Sequence, residues 1–375
     1  MNKKIRVIFI ATLFAVVCAN KVILASDDLT EKLKTNISAR STFILQAIKK
    51  TNNTYNEIYD THTMGLDVSK EFKDNSKITV SLKGGLSNYT VDTRHPTYAT
   101  INKSANSKDL YTEVVYHKPL FCNKLDIDFG KFGLGKYFDK NVYADDTSTQ
   151  FLTGSFVSNR TIESLGDRLG LRLNYAFDKF DIGYGYFSLV NNRPDRNGFN
   201  ILQINYKPSK KGNYRLYGWI DNRGGWYYSV VRKEGEFKRK SGISGIGVSL
   251  DREMSKQIGL FARFGYKDPS IRVIVGDNGI ISENADIPLL LWNIGTQIKG
   301  SLLCCSRIND IIGLAVGQIY GCKCNKNPET QIELYYKLAI SDNLAITPVL
   351  QYIVNSKGRN KNNVFIYGIR TYFKF

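Results

Sequence analysis

Residues 364–375 read Val-Phe-Ile-Tyr-Gly-Ile-Arg-Thr-Tyr-Phe-Lys-Phe. Phe365, Tyr367, Ile369, Thr371, Phe373 and Phe375 recur with a period of two, which places them on one face of a β-strand. The alternate face includes Gly368, Arg370 and Lys374. In a soluble sandwich the apolar face of such a strand meets a core. In a membrane barrel it meets lipid, and the polar face lines water. A closing strand that ends on an aromatic, here Phe375, is the kind of signal that barrel-assembly machinery reads.

The same alternation runs upstream. Ile332, Leu334, Tyr336, Leu338 and Ile340 interleave with Glu333, Tyr335, Lys337 and Ala339. Pro348, Leu350, Tyr352 and Val354 alternate with Thr347, Val349, Gln351 and Ile353, and Leu169, Leu171, Leu173, Tyr175 and Phe177 with Arg168, Gly170, Arg172, Asn174 and Ala176. Each segment is about 9–11 residues long, the length a tilted strand needs to cross the hydrocarbon layer. About sixteen such segments can be placed, from 37–48 to 364–375, an even number as single-chain barrels require. The fold expected is all-β, a transmembrane antiparallel β-barrel with a water-filled lumen. With Phe375 periplasmic, short turns at 178–179, 208–212 and 341–343 fall on its side. The long segments 89–109, 133–167, 221–241 and 267–288 fall outside. Of these, 133–167 is expected to fold inward and narrow the pore.

Lys3, Lys4 and Arg6 precede an apolar run, Val7 to Ala19, with small residues at Ala19, Ala25 and Ser26. That order predicts a secretory signal peptide over 1–25, cleaved after Ala19 or Ala25. Val17 before Cys18 argues against a lipoprotein. Segment 26–48 reads as a strand or a periplasmic helix, and 49–375 as the barrel. No later run reaches 18 apolar residues, so spanning helices are not expected. Removing Lys3, Lys4, Arg6 and Lys21 lowers the formal net charge from +18 to +14. An exported chain does not meet nucleic acid, so this excess belongs to surface and lumen. Cys122, Cys304, Cys305, Cys322 and Cys324 lack zinc-ligand spacing and lie far from His62, His95 and His117, so neither a metal nor another cofactor is expected.

Longer stretches carry more specific information. The C-terminal run ELYYKLAISDNLAITPVLQYIVN, then VFIYGIRTYFKF, resembles the closing strands of the carbohydrate-selective porin (OprB-type) family. GKFGLGKYFDKNVYADDTSTQFLTGSFVSN, GVSLDREMSKQIGLFARFGYKD and SRINDIIGLAVGQI resemble three further stretches, in matching order over roughly residues 100–375. The resemblance implies passive diffusion of sugars through a pore in the outer membrane of a Gram-negative bacterium, with outer-membrane lipids around it. Asn355-Ser356 and Cys304-Cys305 depart from the family pattern.

Strand parity puts Lys77, Lys83, Arg168, Arg172, Arg215, Arg263, Lys299, Lys337 and Arg370 on the lumen face, against Asp67, Glu113, Asp126, Asp128, Asp181 and Glu333. The expected field is positive, favouring anions and neutral sugars. Arg263, Arg307, Glu333, Gln351 and Arg370 also fall in family-like stretches and rank first as pore-lining, substrate-binding residues. Asp139, Asn141, Tyr143, Asp145 and Gln150 join them from the inward segment. The plainer reading makes each a structural lumen pair, Arg facing Glu across neighbouring strands. No catalytic motif is present, so no enzyme is expected. The rival readings are a general non-specific porin, or a barrel displayed as an adhesin or antigen.

Overall fold

The computed structural model describes residues 35–50, 57–86, 95–104, 111–162, 165–188, 198–222, 229–233, 236–240, 242–268, 274–275, 281–282, 288–302, 304–321 and 327–375. The segment 1–25 expected as a leader, the stretch 26–34, Cys322 and Cys324 lie outside them.

The barrel strands are β1 (Thr35–Lys50), β2 (Glu57–Glu71), β3 (Lys77–Leu86) and β4 (Tyr111–Leu120). Then come β5 (Leu125–Gly133), β6 (Asp167–Phe177), β7 (Phe180–Phe187) and β8 (Phe199–Ser209). They are followed by β9 (Gly212–Asp221), β10 (Ile243–Glu253), β11 (Ile258–Lys267) and β12 (Leu290–Lys299). The last four are β13 (Ile311–Tyr320), β14 (Glu329–Ala339), β15 (Leu344–Val354) and β16 (Val364–Lys374). Each pairs antiparallel with the next, and β16 returns to β1, from Arg40 opposite Lys374 to Lys50 opposite Val364. Phe375 completes the seam: its N–H donates to Ala39 O at 2.8 Å, and Ala39 N–H donates to Phe375 O at 3.1 Å. Closure satisfies every strand edge, which lipid demands because it offers no hydrogen bonds. The sheet is therefore a closed sixteen-strand barrel.

The period of two sorts the side chains as expected. Leu350, Tyr352, Phe365, Tyr367 and Ile369 are exposed on the outside, while Val349, Gln351, Ile353, Ile366 and Arg370 between them are buried inside. At the short-turn rim Phe177 and Phe180 stack at 5.7 Å between centroids, Phe180 and Tyr206 at 4.9 Å, and Tyr214 follows at 6.2 Å from Tyr206. Their position is that of an interfacial girdle.

One open alternative is resolved and two details depart from the expectations. Residues 35–48 of the ambiguous N-terminal segment are strand, and β1 is longer than 37–48. Pro208, placed in a turn by its sequence, lies in β8, which absorbs it through a register shift between Tyr206 and Ser209. A proline has no N–H for a ladder, so it sits where the ladder breaks. The segment 89–109, expected outside, sends residues 95–104 inward: Tyr98 and Ala99 pack against Leu291 of β12 and Ile319 of β13. Cys122, Cys304 and Cys305 are free and exposed on short-turn connections.

Candidate functional site

The connection between β5 and β6 crosses the lumen and packs on the inner wall. Its Phe138 joins Phe132, Phe187, Phe199, Tyr217 and Trp219 in one cluster. Phe151 and Phe156 join Phe261, Tyr335 and Val349 in another. Glycines on the wall make room. A Cβ on Gly185 would lie 2.6 Å from the Phe138 ring, and one on Gly259 would lie 2.1 Å from the Tyr143 ring. The short helix Gly154–Val157 is wholly buried.

A buried arginine fixes this loop at its middle. Arg263 of β11 donates from Nε to Asp139 Oδ1 at 2.9 Å and from Nη2 to Asp139 O at 3.0 Å and Ala144 O at 3.1 Å. Its Nη1 donates to Phe156 O. Asp139 also accepts from Tyr217 OH at 2.8 Å and from Asn159 N–H at 2.6 Å. Its φ of 56° is left-handed, which Asp tolerates better than bulkier residues do. A rigid fork with five donors suits such a set of acceptors. Arg263 is a clasp, and its partner is a loop aspartate rather than a glutamate on the next strand.

Two glutamates on β14 hold two loops by the same device. Glu333 accepts from the consecutive N–H groups of Leu152 (2.7 Å) and Thr153 (2.8 Å). Four residues earlier, Glu329 accepts from Tyr98 and Ala99 N–H, each at 2.8 Å. Neither carboxylate has exposed surface. The loops are also zipped to each other: Gly154 N–H donates to Thr100 O, Ser155 N–H to Ala99 O, and Lys103 N–H to Leu152 O. Gln351 links both, donating to Ile101 O and to Thr153 Oγ at 2.8 Å each. Arg370 donates from Nη1 to Thr147 O and Gln150 O at 2.7 Å each, and its guanidinium lies 5.8 Å from the Tyr335 ring centre.

The remaining sequence candidates fall into place around these anchors. Asn141 donates to Ser249 Oγ and Leu250 O on β10. Gln150 accepts from Asp145 and Asp146 N–H, closing residues 142–150 into a compact subloop. Tyr143 is half-buried, its carbonyl taking a 2.7 Å bond from Gln297. Asp145 pairs with Lys140, and burial pushes its carboxyl up against that pull. Arg307 stands apart on the short-turn connection to β13, more than half exposed and 3.9 Å from Asp310.

Further ion pairs line the inner wall of β1–β6. Arg40 pairs with Asp67, Lys83 and Lys136 share Glu113, and Arg172 pairs with Asp128 beside His117. Lys103 is exposed, and among the described residues it makes no ion pair. Desolvation inside the barrel and the nearby Arg160 push its ammonium down to about 8, while Asp145 and Asp139 oppose the shift. Sequence reasoning missed Arg40, Lys103, Lys136 and Glu329. Arg40 and Glu329 were legible from parity in β1 and β14; Lys103 and Lys136 sit on connections, which have no parity.

A sixteen-strand barrel with loops folded into a charged lumen is a diffusion channel, and the family comparison decides which kind. Residues 56–375 match the model of the carbohydrate-selective porin, OprB family. The chain belongs to the OprB family of carbohydrate-selective porins. It is a porin of the Gram-negative outer membrane that passes sugars. The high-pH structure of Pseudomonas putida OprB superposes with a TM-score of 0.77 at 16% identity, covering 93% of this chain and 97% of that one. The outer membrane channel DcaP of Acinetobacter baumannii gives 0.56 at 12%, covering 91% and 97%. OmpT of Vibrio cholerae gives 0.52 at 12%, covering 91% and 99%. These likenesses show the shared fold. No curated protein matches the chain by sequence. Neither the family nor the fold is enzymatic in kind.

Proposed function

We propose that sugars diffuse through the gap between the two zipped loops and the wall of β1–β6, and that Lys103 gives this gap its selectivity. The carrying observation is the pattern of pairing. Asp67, Glu113, Asp128 and Asp145 each have a basic partner within 4.0 Å, whereas Lys103 extends into the lumen with no ion-pair partner among the described residues. The local field is then positive and raises the concentration of anions there, while hydroxyl-bearing neutral solutes meet exposed donors and acceptors. Arg263, Glu333, Gln351 and Arg370, with Asp139, Asn141 and Gln150, hold the loops that shape the gap. Tyr143 and Asp145 border it, and Arg307 acts at most at the periplasmic exit. The reading extends to no catalysed reaction, to lipid against the exposed apolar belt, and to assembly machinery that recognises the apolar face of β16 ending at Phe375.

Single-channel recording in planar bilayers tests it. The wild-type channel is expected to prefer anions, with added glucose reducing the current; Lys103→Glu is expected to shift the reversal potential toward cations. A cation-selective wild type, or a reversal potential untouched by Lys103→Glu, refutes the assignment.

A further inference from the structure

A cavity of about 140 Å³ opens at the external mouth, where residues 95–96 meet the connection between β15 and β16. It is lined by His95, Pro96, Ser356, Lys357, Arg359 and Asn362, whose side chains take no part in the clasps at Arg263, Glu333 and Arg370. At ~10–15 Å³ for each water position the space holds roughly ten waters, comparable with the roughly thirteen heavy atoms of a hexuronic acid.

The walls are built before any ligand arrives. Ser356 N–H donates to Asn362 O, Gly358 N–H to Asn355 O, and Arg359 N–H to Ser356 O. Ser356 Oγ donates to Pro96 O at 3.1 Å, and Lys357 N–H donates to Glu329 at 2.8 Å, so the same carboxylate secures both walls. Asn355, Lys357 and Lys361 hold left-handed φ of 53°, 54° and 60°, a conformation kept only where surroundings impose it. His95 is fixed by Glu57 at 3.0 Å and Tyr59 at 3.3 Å. A preformed wall lowers the ordering cost of binding.

We propose that this cavity is a capture site for acidic monosaccharides of the hexuronate class, separate from the constriction. Arg359 supplies a guanidinium fork that matches a carboxylate, and Lys357 adds a second positive charge. Asn362 carries both a donor and an acceptor for ring hydroxyls. Pro96 presents an apolar surface for the C–H face of the ring. A simple phosphate site has no use for the last two features, and two positive charges favour a carboxylated sugar over a neutral one. The inference builds on the porin reading but does not share its residues.

The test is calorimetric titration of the refolded full chain in detergent with sodium glucuronate, glucose and sodium phosphate. Glucuronate is expected to bind more tightly than either. Arg359→Ala is expected to weaken it about tenfold or more, the loss of one charge-assisted hydrogen bond, and Arg359→Lys to retain part of the affinity. Asn362→Asp, which sets a negative charge in the cavity, is expected to abolish binding. Glucuronate affinity unmoved by Arg359→Ala and Asn362→Asp overturns the proposal, as does phosphate binding as tightly as glucuronate and lost in the same variants. Glucose conductance in the same variants stays at the wild-type level if they fold, so failure here is distinct from failure of the pore reading at Lys103.

Discussion

Arg263→Met separates two roles that the same residue could have in a pore. If Arg263 acts through its charge on the lumen field, Arg263→Lys is close to neutral and Arg263→Met only lowers anion preference. If it is the clasp seen here, both fail. The methionine leaves Asp139 buried with Tyr217 and Asn159 as its remaining donors, and removes donors from Asp139 O, Ala144 O and Phe156 O. Breaking a buried pair in this way costs about 3–5 kcal/mol, or roughly a hundred- to several-thousand-fold in the ratio of open to closed loop at 1.4 kcal/mol per tenfold. Lysine is a point charge on a flexible stem and cannot reach four acceptors at once. Glu333, Gln351 and Arg370 still hold residues 147–153, so the loosening is confined to residues 139–146 and 154–160. The assays are single-channel conductance and amide hydrogen exchange. Larger, noisier currents and faster exchange at Asn159 are expected in both variants, with the strand amides of β10 to β12 unchanged. Wild-type conductance and exchange in Arg263→Met, or a wild-type Arg263→Lys, refutes the clasp.

Three further outcomes are expected. Glu333→Ala removes the acceptor of two consecutive amides, and should raise conductance and expose the peptide bonds near Leu152 to protease while the barrel stays folded; an unchanged cleavage pattern counts against the anchor. Anion preference should fade as pH rises through about 8, because Lys103 is a cation below its pKa and neutral above it, and Lys103→Met should remove that step from the pH profile of the reversal potential; a step that persists assigns it elsewhere. Gly259→Val places a Cβ in the Tyr143 ring and should lower stability by about 1–3 kcal/mol, read as a lower temperature for loss of the fast-migrating unboiled form on gels; an unchanged temperature means the ring has another place to go.

The sequence alone determined the barrel. A period of two is a property of each strand's own backbone, so Phe365, Tyr367 and Ile369 could be assigned to lipid and Arg370 to the interior without knowledge of any neighbour. The alternation of short and long connections set the orientation for the same local reason. Parity could not say which lumen charges meet water. Arg263 is closed off by Asp139, 124 residues away, and Glu333 by the amides of Leu152 and Thr153, 181 and 180 residues away. Such contacts exist only once the loop has crossed the barrel, and nothing periodic in residues 134–166 announces where it lands. The inward turn of residues 95–104 depends likewise on Glu329, whose carboxylate is one more lumen-facing acid in the sequence and becomes an anchor only when Tyr98 and Ala99 arrive. Local periodicity specifies a wall; long-range hydrogen bonding to buried charges, strong because water is excluded from them, decides what fills it.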